Sequence, residues 1–241
     1  MLEVLAVAGT LYALIYGGAA LAGGTEKRFE HPLLSVATSL TLMVLLVTLF
    51  SYRDPQWKQS LSVEKRGWQE WLGFGVVAFF ATYGVNIVLG VAYYVLTKLS
   101  GGDVNALAQS KAQWTTQLAD IPLPAMLLLA ALAGFWEELV FRGFILGRLR
   151  AAFSVEEPLR RDLSAVLITS LIFGFGHGYQ GPFGLAQTSL VGVVLGLITL
   201  WRGSLWPALF AHVAIDAFGL VMIKVFKPML EKALKGELPT S

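Results

Sequence analysis

The sequence predicts an all-α fold, a polytopic bundle of about seven transmembrane helices forming a single domain. Three observations carry this expectation. Hydrophobic residues make up 56% of the 241-residue chain and charged residues only 14%, where soluble domains average about 25% charged. The mean hydropathy is +0.65, and the apolar residues gather into runs approaching the ~20 residues that span a hydrocarbon core. Finally, the ionisable residues inside those runs are few and grouped, as expected if they face one another and not lipid. The composition also excludes partners and chemistries. A net charge of +2 without a basic block gives no footprint for nucleic acid, and the absence of cysteine rules out disulfides, thiolate metal sites and a thiol nucleophile.

In chain order, the apolar runs are Leu2–Ala22, Leu33–Tyr52, Trp71–Leu96, Leu123–Leu146, Leu163–His177, Phe183–Trp201 and Leu205–Phe226. The first is read as a membrane helix and not a cleaved leader, because its only early charged side chain is Glu3 and no basic segment precedes it. The fifth is short and runs into Gly178-Tyr179-Gln180-Gly181-Pro182, a sequence that breaks a helix. Irregular backbone at membrane depth is tolerated only where protein or water lines it, so this break is expected to form a cavity wall. No internal repeat is present. The chain divides into N-terminal helices and loops (1–122), a core (123–226) and a tail (227–241) in which Pro228–Lys235 has the pattern of a short amphipathic helix lying at the interface.

Lys and Arg in the loops set the expected orientation. Arg53, Lys58, Lys65 and Arg66 lie between the second and third runs, and Arg148, Arg150, Arg160 and Arg161 between the fourth and fifth. Both groups then face the cytoplasm with the N-terminus, which leaves Lys224, Lys227, Lys232 and Lys235 outside, against the rule. Trp57, Trp68, Trp71, Trp201 and Trp206 fall near run ends, as interfacial anchors do.

Three clusters interrupt the apolar runs: Glu137-Glu138 with Arg142, Phe173 with His177, and His212 with Asp216. An Asp, Arg or Lys at the centre of a span costs about 2.5–3.5 kcal/mol, so the set would cost on the order of 10 kcal/mol if unpaired. Glu138 and Arg142 are four apart with the acid first, the better order for a helical ion pair. Glu137 points about 100° away and stays available as a base. His177 shares a face with Phe173, and His212 with Asp216. An aspartate accepting from one ring nitrogen would fix the tautomer of the other. Alone, each cluster also reads as polar packing between helices. Together, Glu, His, His and Asp are groups that activate water, by general-base catalysis or through a divalent metal. His31, before Pro32, reads as solvated.

These motifs, in this order and each on its own helix, resemble those of the CPBP family of intramembrane endopeptidases. This is the CAAX-processing and bacteriocin-processing, or Abi, family, related to the type II CAAX prenyl proteases. Its pattern is EExxxR, FxxxH, then HxxxN or HxxxD, and Gly203-Ser204-Leu205-Trp206-Pro207 also looks like the family. The resemblance covers Leu123 to Phe226. It implies that Glu137 activates water with help from His177. It further implies that His212 and Asp216 form the opposite wall, stabilising the oxyanion or completing a metal site, with Glu138, Arg142 and Phe173 in support. Zinc held by Glu137, His177, His212 and Asp216 and metal-free hydrolysis both stay open. An ionised Asp216 cannot donate to an oxyanion as an Asn would, which favours orientation of His212 or metal binding for that residue. The implied partners are the lipid bilayer and a membrane-associated peptide or protein, CAAX-like or other, in a bacterial cytoplasmic or an organellar membrane.

Other hydrolytic architectures do not fit: no HExxH or GxSxG occurs, and Asp216 is the one aspartate well inside a run. A proton- or cation-coupled transporter would use similar groups, but transporters usually carry repeats with broken helices in both halves. Here the clusters all fall in the second half. A non-catalytic scaffold or immunity protein of the same family is the remaining alternative.

Overall fold

The computed structural model describes residues 1–21, 67–103, 118–154 and 156–235, with scattered helical positions between 38 and 49. The elements are α1 (Leu2–Leu21), α2 (Trp68–Leu99), α3 (Leu123–Ala152), α4 (Pro158–Gly176), α5 (Gly181–Arg202), α6 (Trp206–Val225) and α7 (Lys227–Leu234). No strand occurs among the described residues.

Four of these helices, α2, α3, α5 with its leading turn, and α6, are long and apolar enough to cross a membrane. The expectation of about seven spans therefore narrows to four among the described residues. The Leu33–Tyr52 run lies largely outside them, as do His31, Trp57 and the basic residues between 53 and 66. The fifth run forms α4, but this helix begins at Pro158 and carries Arg160, Arg161 and Asp162 in its first turns, which lowers its apolarity. Arg150 donates two hydrogen bonds to Asp162, at 2.8 and 2.9 Å, and these hold the Asp162 carboxyl below its ordinary pKa. α1 is a 20-residue helix, apolar along Leu2–Ala13, the continuous stretch whose side chains are described.

The 32 residues of α2 measure about 48 Å at 1.5 Å per residue, more than the ~30 Å of hydrocarbon. One face exposes Val76, Phe80, Ile87 and Val91, a lipid-facing stripe at helical spacing. The opposite face buries Gly75, Ala78 and Thr82 against α5 and α6. Small residues recur where helices must approach, because lipid gives no hydrophobic drive for association and close packing must supply it. A Cβ on Gly134 of α3 would meet Val213 of α6 at 2.8 Å, and one on Gly192 of α5 would meet Ser170 of α4 at 3.0 Å. α4 and α5 form a tight antiparallel pair, and α6 packs against α2 and α3.

The helix ends follow from sequence. Pro122, Pro158, Pro182 and Pro207 open or precede helices, where a missing amide hydrogen costs nothing. Gly203, at φ 58°, closes α5 in the left-handed region and turns the chain into α6. Aromatic side chains gather at that end: Trp71 stacks on Trp206 at 5.5 Å, and the Arg202 guanidinium lies 3.7 Å from the Phe74 ring centroid. At the other end the Lys224 ammonium donates to the carbonyls of Ala119 and Ile121, both at 3.0 Å, and Lys227 pairs with Asp120. The tail is helical, as its pattern predicts, and is tied to the entrance of α3.

A candidate active site between three helices

The site is built where α3, α4 and α6 face one another. Directly after Glu138, α3 widens into a π-helical stretch over Leu139–Ile145, where the amide of Leu146 bonds the carbonyl of Phe141, five residues back. Such widened turns recur at functional sites because they re-aim side chains without ending the helix. This one buries nearly every residue it contains, Arg142 included.

Glu138 is fully buried, and one of its oxygens, Oε1, accepts from Arg142 Nη1 at 2.6 Å and from His212 Nδ1 at 2.7 Å. The ion pair expected from spacing is thus present, but Glu138 also takes the imidazole. The guanidinium extends the web: Nη2 donates to the Gly192 carbonyl on α5 at 3.3 Å, and the group lies 4.5 Å from the Phe173 ring centroid. The tautomer-fixing contact that the sequence reading gave to Asp216 is made by Glu138 from another helix. Asp216 Oδ2 stands 3.6 Å from His212 Nε2, beyond hydrogen-bond length. Glu137 Oε2 stands at the same 3.6 Å from Nε2. The two adjacent glutamates, although they point apart, meet opposite nitrogens of one ring.

His177 is placed differently. It follows the last residue of α4, and its Nδ1 donates to the Phe173 carbonyl at 3.0 Å, leaving Nε2 as the acceptor nitrogen of the neutral ring. Phe173 is the common wall. Its ring packs 4.9 Å from His177, 5.8 Å from His212 and 4.9 Å from Phe141. Glu137, Glu138, Arg142, Phe173, His177, His212 and Asp216 are therefore gathered in one place, with His177 joined to the carboxylate group through Phe173.

Two residues absent from the sequence reading also hold the site. Tyr12 of α1 donates its hydroxyl to the Ile172 carbonyl, and Tyr16 donates to the Phe175 carbonyl at 2.6 Å. These are carbonyls of the last turns of α4, just before His177. A tyrosine in an apolar helix gives little signal in sequence, since the partner is backbone some 160 residues away.

Among the described residues, no group of three or more His, Asp or Glu side chains is arranged to hold a metal ion. His212 Nδ1 is already committed to Glu138, and His177 Nδ1 to the Phe173 carbonyl.

The fold and site define a multi-pass helical membrane protein with a protein-lined glutamate–histidine centre. Residues 119–218 match the family model described as type II CAAX prenyl endopeptidase Rce1-like, a segment that contains all three motifs. Over that segment the chain is similar to CAAX-type intramembrane proteases. Neither the curated proteins nor the solved structures hold a match to it.

Proposed function

We propose that the protein is an intramembrane endopeptidase that hydrolyses a peptide bond of a membrane-associated, CAAX-like peptide, with Glu137 as the base. The observation that carries this reading is the pair of 3.6 Å gaps from His212 Nε2 to Glu137 and to Asp216. Each is too long for a hydrogen bond, and a water or a reacting oxygen beside the pair, about 2.8 Å from each atom, would bridge the two groups.

In this reading, water held beside Glu137 attacks the scissile carbonyl and its proton passes to the Glu137 carboxylate. His177, whose bare Nε2 follows from the Phe173 contact, assists as an acceptor. The oxyanion that forms is met by His212. In that role the ring carries both protons, one donated from Nδ1 to Glu138 and one offered from Nε2 to the oxyanion. Asp216 steadies the charged ring from its open side. Collapse of the intermediate breaks the C–N bond, and Glu137 returns its proton to the leaving amine.

Glu137→Gln tests the reading, since it removes the base with little change of shape. Cleavage of a prenylated CAAX-type peptide is expected to fall by about 10²–10⁴-fold, the usual contribution of general-base catalysis, with membrane insertion unchanged. Near-normal turnover would sink the role of Glu137. The same preparation tests direct water activation: turnover is expected to survive chelation, and a loss reversed by zinc that tracks His212 would replace it with a metallopeptidase mechanism. An intact protein that cleaves no peptide and moves protons or cations across vesicles would favour a transporter instead.

A further inference from the structure

We propose that Asn86 and Gln187 form a subsite for peptide backbone, a side-chain donor and acceptor that take the N–H and C=O of a substrate strand lying extended along the seam of α2 and α5. The proposal rests on the protease reading and places substrate recognition partly outside the family-matched segment.

Asn86 lies near the middle of α2 and Gln187 on α5, and both are half-buried. Gln187 Nε2 donates to Asn86 Oδ1 at 3.1 Å. Two facing amides are able to exchange hydrogen bonds in both directions. Here a single bond forms, and among the described residues Asn86 Nδ2 and Gln187 Oε1 make none. A donor and an acceptor side by side, reachable and unspent at membrane depth, are costly against lipid. They match the two polar groups of one peptide unit.

Helix register sets their height. α4 and α5 run antiparallel, with Gly192 against Ser170 and Gly196 against Val166. Continuing that register puts His177 level with residues 185–186, about one residue from Gln187. α2 and α6 run in parallel, with Trp71 on Trp206 and Gly75 on Phe210. Asn86 then lies about five residues beyond the level of Asp216, or roughly 7 Å along the axis. At about 3.3 Å per residue, that axial offset alone takes up some two residues of extended peptide. The same face of α2 carries Tyr83, which meets Phe218 at 5.2 Å, and Tyr93, stacked on Phe183 at 4.4 Å. Rings flank the amide pair above and below, so its polar atoms are the local feature a backbone can use.

The chemistry requires such a feature. A scissile peptide must be extended to expose its carbonyl, and an extended chain in the membrane loses both its own helical hydrogen bonds and water. No strand edge exists among the described residues to receive it. Side-chain amides supply the substitute, and they recognise backbone irrespective of substrate side chains.

The test uses the full chain in lipid nanodiscs with Glu137→Gln, so that binding is read without cleavage. The probe is a fluorescent farnesylated peptide ending in a CAAX sequence, prepared as a series in which one backbone N–H at a time is N-methylated. One position is expected to weaken binding by about three- to tenfold, the size of one net hydrogen bond. That loss is expected to vanish when Asn86→Leu is combined with it, and the exchange Asn86→Gln with Gln187→Asn is expected to retain it. Additive losses, or Asn86→Leu and Gln187→Leu proteins that melt lower but bind every peptide as before, would reduce the pair to a helix contact and overturn the subsite. Wild-type protein that binds the peptide with this coupling but never cuts it would overturn the protease reading alone.

Discussion

His212 has Glu138 on one ring nitrogen and Glu137 and Asp216 beside the other, and its side chain is almost sealed from the surroundings. His177, on the far side of the Phe173 ring, has a backbone carbonyl on its Nδ1 and aromatic rings on its faces, and forms no ion pair among the described residues. One histidine is positioned by charge and the other by the path of the backbone. A charged web in a water-poor interior fails abruptly when one member is removed, because its partners are left unpaired. A position set by backbone contacts loosens in smaller steps.

The largest expected effect comes from the charged side. Arg142→Ala leaves Glu138 buried with only His212 as partner and also removes the tie to the Gly192 carbonyl. Breaking a buried pair in this way costs about 3–5 kcal/mol. The lower end is expected here because His212 still reaches Glu138. Thermal unfolding in detergent checks it, and a melting profile equal to that of the parent protein would show that the web adds nothing to stability.

Glu138→Gln tests position, with unfolding measured beside it because Arg142 loses its counter-charge. The amide keeps the shape and still accepts from His212 Nδ1, but the carboxylate that faces the ring is lost. Losing a hydrogen bond to a charged group, about 1.5–3 kcal/mol, corresponds to about 10–100-fold in rate. A fall in kcat of that order with KM held is expected, with the protein still folded. An unchanged kcat would return Glu138 to the purely structural role that its spacing from Arg142 suggests.

This contrast also explains what could be read from the sequence. Glu138 and Arg142, or His212 and Asp216, sit one helical turn apart, so their spacing alone puts them on one face, and ionisable residues in apolar runs draw attention to themselves. The gathering of the three clusters followed from the same logic. Which carboxylate takes His212 Nδ1 did not, because that depends on how α3 and α6 are set against each other and on the π-helical turn after Glu138, which no periodicity announces. The expected count of about seven spans is not confirmed: four are found among the described residues, and the Leu33–Tyr52 run lies largely outside them. Apolarity marks a segment that avoids water, and α4 shows that the start of such a segment is able to carry Arg160, Arg161 and Asp162 and pack as a helix beside the spans. Tyr12 and Tyr16 were invisible because their partners are carbonyls, which every residue has.

Those tyrosines give the smallest expected effect and the sharpest test of the backbone-held side. Tyr12 and Tyr16 bind carbonyls three residues apart on α4, so α1 grips the final turn from which the His177 ring projects. Tyr16→Phe removes a hydroxyl and keeps the ring, at a cost near that of one hydrogen bond, about 0.5–1.5 kcal/mol. If the grip only stabilises the fold, melting drops and kcat stays. If it aims His177, a small rotation of the last turn moves Nε2 away from the water, and kcat falls by about two- to tenfold at unchanged KM. Tyr12→Phe is expected to act in the same direction. The double variant is expected to fall short of the product of the two, since both hydroxyls hold one turn. Full additivity, or a change in KM alone, would detach α1 from the positioning of His177 and leave the α4 break to fix it unaided.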